Sequence, residues 1–414
     1  MGQIPVAMIA LPVAFVGGLV LTPLAKKLAW RFGAVSEPDG KRRLHARPTP
    51  LWGGSAVYLA ALLSVIASFL LASVSAEDKL PAALALSAGM LCLLGFYDDL
   101  CDMNAWWKLL GQIVSTLPVM MAGCYVRQFI LFGQVFDVGL LGTAWTIGWL
   151  VLGINALNLL DGVDGLASLM GIVISLAVGA IAATQNRPDV MLLAFALAGA
   201  LGGFLVHNSP PARVYLGDCG SMVIGFTLAL LALRVSLAPK APLTVNVTVA
   251  AALLFVPLMD TALAIVRRTL RGCSFMVGDH SHVHHQLLKR GLSVWAVLGV
   301  LGGFGLTTGT VAWLVAAGGR ESWGWLVLVM VTLLMARRRL LGYEEWNLAR
   351  RFVAQTALPS VRRLSPVTLL TRLRPTDRPS TAALPSEFSD PVVLRTRVSP
   401  AEVGADVAEA RKAA

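Results

Sequence analysis

Two long apolar runs, separated by a short polar turn, make up residues 145–183, "WTIGWLVLGINALNLLDGVDGLASLMGIVISLAVGAIAA". The runs belong to candidate spans 143–159 and 166–184, whose lengths match the roughly 17–25 residues that a helix needs to cross a bilayer. Strands of a membrane β-barrel would instead alternate in polarity over about 10 residues. The stretch therefore predicts two membrane-spanning helices joined by a turn that carries Asn158, Asp161 and Asp164.

Apolar runs of this kind recur along most of the chain. Of its 414 residues, 56% are hydrophobic and only 14% are charged, and the mean hydropathy is +0.72. These values are typical of an integral membrane protein. We predict an all-α polytopic membrane protein with about eleven (10–11) transmembrane helices, at residues 5–24, 52–74, 81–97, 109–125, 143–159, 166–184, 190–206, 219–237, 246–266, 293–317 and 323–336.

The basic residues predict how these helices are oriented. Alternate connections carry fourteen Lys and Arg residues in total, whereas each opposite connection carries one. Because cytoplasmic loops are enriched in Lys and Arg, we expect the N-terminus outside and cytoplasmic active-site loops. The clustering also accounts for the net charge of +11 without a nucleic-acid partner. The basic connections are 25–51, 98–108, 160–165, 207–218 and 267–292.

The C-terminal part of the chain has a different composition. Residues 1–340 are predicted to form the transmembrane catalytic domain, and residues 341–414 a cytoplasmic tail. Residues 341–356 suit a short interfacial helix, and the chain beyond is rich in Pro, Ser, Thr, Arg and Ala without periodicity. Such composition favours disorder. The five cysteines show no paired spacing and carry no information about the redox compartment.

Oxygen-bearing side chains gather at the predicted cytoplasmic ends of the spans. Asn158, Asp161 and Asp164 recur every three residues, and carboxylate and amide oxygens suit a hard cation such as Mg²⁺. Acids at a membrane edge are functional candidates by default. Asparagines that bridge neighbouring helices are the structural alternative.

Three further acidic residues lie where spans end or restart. Asp98 and Asp99 end one span and Lys108 begins the next; these acids are either part of a site or solvated charges at a helix end. Adjacent carboxylates repel each other unless a cation or proton intervenes. Asp218 lies between Gly217 and Gly220, where it is either a ligand or a helix N-cap.

Cationic side chains form two clusters of their own. The first, "KRRLHARPTPLWGG" at 41–54, contains His45 and is either a positively charged flank or a segment of fixed backbone. The second, at 267–291, is rich in Arg and Lys. Zinc binding is the alternative there, but the surrounding cations favour a polyanion such as a diphosphate. Four of the six histidines of the chain lie in this second cluster, at positions 280, 282, 284 and 285.

The chain thus combines oxygen ligands for a metal with cationic side chains that can bind phosphates. Phosphoryl transfer requires this combination. No GxxxxGK[ST] segment occurs in the chain, so a phosphate donor is not held as in P-loop enzymes. A reaction centre at the membrane surface indicates one soluble and one lipid substrate.

Five motifs resemble the polyprenyl-phosphate N-acetylhexosamine-1-phosphate transferases over about residues 20–300. In the family's order they are "RRLHARPTPLWGG", "YDDLCDMNAWWK", "NALNLLDGVDGLA", "VYLGDCGS" and "GDHSHVHHQL". The segment "GCSFM" and Gly278 depart from the family pattern near the expected sugar-recognition loop, which leaves the sugar less defined than the chemistry.

The resemblance implies a Mg²⁺-dependent reaction, with Mn²⁺ as a substitute, in a bacterial inner (plasma) membrane. A UDP-sugar donates its sugar-1-phosphate, most simply GlcNAc-1-phosphate, to polyprenyl phosphate, and UMP is released. It implies Asp218 and Asn158 as metal ligands, and Asp98, Asp99 and Asp161 as catalytic. Homodimerisation is left open. The implied substrate-binding residues are Lys108, Asp164, His45, His282, His284 and His285.

Two other functions compete with this interpretation. A phospho-N-acetylmuramoyl-pentapeptide transferase would carry three consecutive histidines in the last motif, whereas "HVHH" is interrupted. A transporter would carry ionisable residues deep within its spans, whereas Asp260 is the main exception to nearly uncharged midspans.

Overall fold

The computed structural model describes residues 3–37, 48–72, 79–238, 241–272, 281–338 and 340. Contacts divide the chain into Met1–Thr356 and Ala357–Ala414, and every described residue lies in the first unit. The predicted helix and tail after residue 340 lie outside the described residues, as does His45.

Thirteen helices contain most of the described residues, which confirms the predicted all-α polytopic class. Most of them coincide with predicted spans, because in lipid a helix satisfies its own backbone groups. In chain order they are α1 (Gln3–Phe32), α2 (Gly53–Ala72), α3 (Leu80–Cys101), α4 (Ala105–Met121), α5 (Leu141–Leu160), α6 (Leu166–Thr184), α7 (Pro188–Asn208), α8 (Asp218–Val235), α9 (Val247–Leu253), α10 (Phe255–Leu270), α11 (Val283–Lys289), α12 (Val294–Ala316) and α13 (Glu321–Arg337).

Eight of the described helices are long and apolar enough to cross a bilayer. Helices α9 and α10 form a ninth candidate that is bent by 82° at Leu254. The predicted spans 109–125 and 323–336 correspond to α4 and α13, which have 17 residues each, the lower limit of the usual range. The described helices thus give eight to nine spans by length and composition, and the count of about eleven stays a prediction.

The break between α9 and α10 is encoded locally. Asn246 caps α9, since its Oδ1 accepts a hydrogen bond from the backbone N–H of Val249 at 3.2 Å. Pro257 lies in the first turn of α10, where its missing N–H leaves no helical hydrogen bond unmade. Further along α10, Asp260 and Arg267 are both buried. Residues seven apart share one helix face, so α10 presents a charged face to the protein interior.

Helix α8 lies at the centre of the bundle and buries nearly all of its side chains. Glycines let its neighbours approach closely. A Cβ on Gly54 of α2 would lie 2.0 Å from the Cα of Gly220, and a Cβ on Gly225 would lie 2.5 Å from the carbonyl oxygen of Gly153 in α5. Small residues commonly mark such crossings between membrane helices. This packing fixes Asp218, at the start of α8, beside the ends of α3 and α5.

A four-stranded sheet, which the sequence analysis does not predict, lies at the end of the bundle away from Asp218. Its order is β4-β3-β6-β5. The β3–β4 hairpin turns through Phe132 and Gly133, both with positive φ, as a type I′ turn requires. A separate two-stranded antiparallel sheet consists of β1 and β2. The strands are β1 (Val35–Ser36), β2 (Thr49–Pro50), β3 (Gln128–Leu131), β4 (Gln134–Asp137), β5 (Leu237–Ala238) and β6 (Ala241–Asn246). They are too short for a hydropathy pattern to reveal.

Candidate active site

Lys108 bridges two carboxylates that come from different helices. Asp98 lies in the last turn of α3, Lys108 in the first turn of α4, and Asp218 at the start of α8. Lys108 Nζ lies 2.6 Å from Asp98 Oδ2 and 2.8 Å from Asp218 Oδ2. The Asp98 side chain is 7% exposed, whereas that of Asp218 is 31% exposed. Asp218 is therefore the open side of this ion-pair network.

Asp99 has different partners from Asp98, because neighbouring residues of a helix point about 100° apart. Its Oδ1 accepts from the backbone N–H of Asp218 at 2.9 Å, and its Oδ2 from that of Cys219 at 3.5 Å. Asp99 thus caps α8 from another helix, which frees the Asp218 carboxylate from that role. Gly217 has a φ of +73°, and a Cβ there would lie 2.7 Å from Asp99 Oδ2, so this junction requires glycine.

The two asparagines at the end of α5 have separate functions in the structure. Asn158 Nδ2 donates to Asp218 Oδ1 at 2.5 Å and to Ser221 Oγ at 2.9 Å. Asn155 Nδ2 instead donates to Gln112 Oε1 of α4 at 2.8 Å. The helix-bridging alternative therefore describes Asn155, whereas Asn158 contacts the carboxylate of the network.

The turn 161–165, "DGVDG", contains two aspartates with different surroundings: the Asp161 carboxylate has no hydrogen-bond partner among the described residues, whereas Asp164 binds a neighbouring loop. The half-buried Asp161 carboxylate makes no hydrogen bond within the described residues, and burial together with the charges of Asp218 and Asp99 raises its pKa well above the usual value. Asp164 Oδ2 accepts from the backbone N–H of Ala212 at 2.9 Å. Asp164 therefore ties the DGVDG turn to the loop that precedes α8.

A buried asparagine completes this connection. Asn208 Oδ1 accepts from Gly165 N and from Ser168 Oγ, both at 3.1 Å, while its Nδ2 donates to Val214 O at 2.9 Å. Every polar atom of the side chain is thus used between the DGVDG turn and the loop before α8. The loop is held from both sides, which fixes the position of Asp218.

The histidines lie at the start of α11 and are held by α10. His282 Nδ1 lies 2.9 Å from Asp260 Oδ2, and the backbone N–H of Val283 donates to Asp260 Oδ1 at 3.0 Å. The ring of His284 is stacked with that of His282, with centroids 5.7 Å apart. The ring of His285 is tilted against His284 at 4.3 Å. The three predicted histidines therefore form one cluster.

His284 connects this cluster to the DGVDG turn. It is fully buried, and a Cβ on Gly162 would lie 2.4 Å from its Nε2. Neither ring nitrogen has a hydrogen-bond partner within the described residues. Burial, and secondarily the neighbouring His285, lowers the pKa of His284 to about 3. The ring is therefore neutral at physiological pH, in direct contact with the aspartate-rich turn.

Comparison with known proteins identifies the family. The profile of Glycosyl transferase family 4 matches residues 81–236. A Bacillus subtilis protein named "Probable undecaprenyl-phosphate N-acetylglucosaminyl 1-phosphate transferase" is 30% identical over 292 residues, 69% of this chain and 79% of that protein. A decaprenyl-phosphate N-acetylglucosaminephosphotransferase of Mycolicibacterium smegmatis is 32% identical over 303 residues, 66% of this chain and 73% of that protein. The chain belongs to glycosyl transferase family 4.

Family 4 membership confirms the resemblance to the polyprenyl-phosphate N-acetylhexosamine-1-phosphate transferases. The chain is also similar to a phospho-N-acetylmuramoyl-pentapeptide-transferase of Streptococcus mutans, with 33% identity over 238 residues. That match covers 52% of this chain and 70% of the Streptococcus protein. It is shorter on this chain than the matches to the N-acetylglucosamine enzymes.

The donor set around Asp218 fits the Mg²⁺ that the family resemblance implies. Its carboxylate is partly exposed, and beside it lie the side-chain amide of Asn158, which here faces the carboxylate through Nδ2, and the hydroxyl of Ser221. The described residues contain no group of three His, Cys, Asp or Glu side chains placed to enclose a metal. Mg²⁺ is usually held by one or two carboxylates, with substrate phosphates and water completing the shell. The residues present therefore fit an open magnesium site, and the ligand roles of Asp218 and Asn158 stay predictions.

All predicted site residues within the described ranges lie at the same end of the bundle. Three residues that contribute there, Ser221, Asn208 and Asp260, are not predicted as site residues from the sequence. Ser221 belongs to the quoted "VYLGDCGS" motif, and Asp260 is an acid within a span, so both carried a detectable signal. Asn208 carried none, because an isolated asparagine at the end of an apolar run is equally compatible with a solvated helix end.

Proposed function

We propose that this membrane protein transfers GlcNAc-1-phosphate from UDP-GlcNAc to a polyprenyl phosphate. In that reaction an oxygen of the lipid phosphate attacks the β-phosphorus of the donor, the bond between that phosphorus and the bridging oxygen breaks, and UMP leaves. The product, a lipid-linked diphosphate sugar, would start a cell-envelope glycan. The observation that carries the proposal is the Asp98–Lys108–Asp218 network beside Asn158 at one end of an apolar bundle.

Aromatic residues beside this network support a lipid phosphate as one substrate. Tyr97 at the end of α3 is 58% exposed, and Trp106 and Trp107 at the start of α4 are 67% and 66% exposed. Aromatic side chains concentrate at membrane–water interfaces. Lys108 follows Trp107 directly, which supports a position of the network near the phosphates of the membrane lipids.

Each side chain of the network would have its own role in the transfer reaction. Lys108 neutralises phosphate oxygens between the two substrates, and Asp98 orients the lipid phosphate or removes its remaining proton. Asp218 and Asn158 would hold Mg²⁺, which when bound stabilises negative charge on the diphosphate. Asp99 positions Asp218 through its backbone. We favour direct displacement over a covalent aspartyl intermediate, because the acceptor is already an anionic oxygen nucleophile.

The test is an assay of the purified protein with labelled UDP-GlcNAc and undecaprenyl phosphate. We expect UMP and a lipid-linked diphosphate sugar in equal amounts. A parallel reaction with UDP-MurNAc-pentapeptide tests the second candidate, which the Streptococcus mutans similarity favours and the interrupted "HVHH" disfavours. Turnover of the pentapeptide donor alone would reassign the substrate, and turnover of neither donor would refute the proposal.

The orientation proposed here, with this site at the cytoplasmic face of a bacterial inner membrane and the N-terminus outside, rests on the asymmetry of Lys and Arg. Single cysteines at the exposed Lys289, at the site end, and the exposed Val135 of β4 provide a matched pair in a background without the natural cysteines. In intact cells a membrane-impermeant reagent should label position 135 and spare position 289. Labelling of position 289 alone would reverse the orientation.

A further inference from the structure

Asp260 is an acid within a membrane helix, and the transfer reaction as described above does not use it. Its exposure is 2%. Ionisable groups in this setting are costly and are found where they pair or act. Both carboxylate oxygens of Asp260 contact the start of α11, through the Val283 N–H and His282 Nδ1. The helix that carries the histidines is therefore fastened to the broken span by one carboxylate.

This contact decides which ring nitrogen of His282 can meet a ligand. An ionised carboxylate only accepts hydrogen bonds, so Nδ1 of His282 donates to Asp260 and Nε2 is the nitrogen that remains. The second contact, from Val283 N–H to the same carboxylate, fixes Asp260 relative to the start of α11. Carboxylates orient functional histidines in this way in metal sites and in hydrolases.

His282 is better placed to meet an anion than its neighbour His284. Both rings are buried, with exposures of 4% for His282 and 0% for His284, but His284 is neutral and its Nε2 lies against Gly162. The two rings are stacked with 7° between their planes, so His284 supports the face of His282. Of these two histidines, His282 is the one whose orientation is set by a charged partner.

We propose that Asp260 is a positioning residue for the diphosphate of the sugar donor and acts through His282. The inference rests on the proposed function, which supplies that diphosphate. A phosphate oxygen only accepts, so the ring that binds it carries hydrogen on both nitrogens, and the Asp260 carboxylate balances the resulting charge. Asp260 itself makes no contact with the substrate.

The test compares Asp260→Asn, His282→Asn and the double variant. Each single variant should raise KM for UDP-GlcNAc roughly 10-fold, the scale of a lost hydrogen bond to a charged group, and leave KM for polyprenyl phosphate unchanged. The double variant should be no worse than His282→Asn, because residues that act as one unit are not additive. Calorimetric binding of UDP gives a second readout that needs no turnover, and it should weaken in parallel.

Thr261→Val is the matched control, since Thr261 is the buried neighbour of Asp260 and its hydroxyl only donates to Pro257 O at 2.9 Å. This variant should keep both KM values. Additive losses in the double variant, or a lower melting temperature with unchanged KM, would overturn the inference.

Two further outcomes keep the test decisive. If Asp260→Asn does not accumulate in the membrane, His282→Asn decides alone, and an unchanged KM for UDP-GlcNAc overturns the inference. A wild-type protein that binds UDP but releases no UMP refutes the transferase proposal instead, and its UDP affinity still tests Asp260.

Discussion

The two ends of the bundle use charge in opposite ways. At the end with the sheet, Asp189 is shared by two cations, Arg187 at 3.1 Å and Arg234 at 3.6 Å. At the end with the candidate site, one cation, Lys108, is shared by Asp98 and Asp218. The first cluster has more cations than carboxylates, whereas the second has more carboxylates than cations, an excess of negative charge that an added cation or a proton can balance. Charged side chains of the same types therefore connect helices at one end of the bundle, whereas at the other end they are arranged to bind a ligand.

Hydrogen bonding shows the same contrast. Glu321 accepts from Phe132 N at 2.6 Å, Asn246 Nδ2 at 3.0 Å and Thr248 Oγ1 at 3.2 Å, which joins α13 to the sheet and to α9. The carboxylate of Asp161, at the site end, makes no hydrogen bond within the described residues. Glu321 is therefore a structural carboxylate, whereas the half-buried carboxylate of Asp161, which has no such partner in the described part of the chain, is a candidate for contact with a ligand.

The largest effect is expected from Asp218→Asn. Loss of this charge should lower kcat on the order of 10³-fold, because the open carboxylate of the network is removed, while binding of the UDP-sugar weakens less. Asp189→Asn is the control at the opposite end and should keep near-normal turnover. Equal losses in the two variants, measured as UMP release, would erase the distinction between the ends.

Lys108→Met should come next, with a loss of about 100-fold in kcat/KM. Without the lysine, Asp98 and Asp218 face each other with no cation between them, so one of them takes up a proton. Lys108→Arg keeps the charge and should recover part of the activity. A Met variant with normal kinetics would show that the lysine only joins helices.

Gly162→Ala tests the contact between the DGVDG turn and the histidine cluster. The added Cβ would lie 2.4 Å from His284 Nε2 and should displace the ring, raising KM for the UDP-sugar roughly 10-fold. Gly148→Ala in α5, where a Cβ would meet nothing within 4 Å, should have no effect. If both variants behave like the wild type, the contact has no role in donor binding.

The smallest effect concerns pH and stability. The pKa of His284 is lowered to about 3 in the folded protein, against about 6.5 for an unperturbed histidine. Its neutral form is therefore favoured by folding, and the stability it contributes is complete above about pH 6.5 and is lost as pH falls towards 3. At pH 5 the loss amounts to about 2 kcal/mol.

Thermal unfolding in detergent at pH 7 and pH 5 measures this loss. His284→Gln should unfold with less dependence on pH than the wild type. A His284→Gln variant with unaltered pH dependence would show that His284 is accessible to protons in the folded state.

The sequence predicts the spans well because the hydropathy of consecutive residues adds up, so that each long helix is recognisable as an apolar run. It also predicts that Asp98, Asp161 and Asp218 belong together, through the family motifs. It does not reveal that Asp99 caps α8, because a cap supplied by another helix leaves no local pattern. The sheet is not predicted either, because the parallel pairing of β3 with β6 joins segments more than 100 residues apart and leaves no local sequence pattern.

We propose that the excess negative charge of the carboxylates at the site end is balanced by a divalent cation that the UDP-sugar shares. The most direct measurement is UMP release by the purified protein after chelation, followed by titration with Mg²⁺ and, separately, Mn²⁺. We expect turnover to stop on chelation and to return in a saturable manner with either ion. Undiminished UMP release in the presence of chelator would show that the reaction does not require a divalent cation.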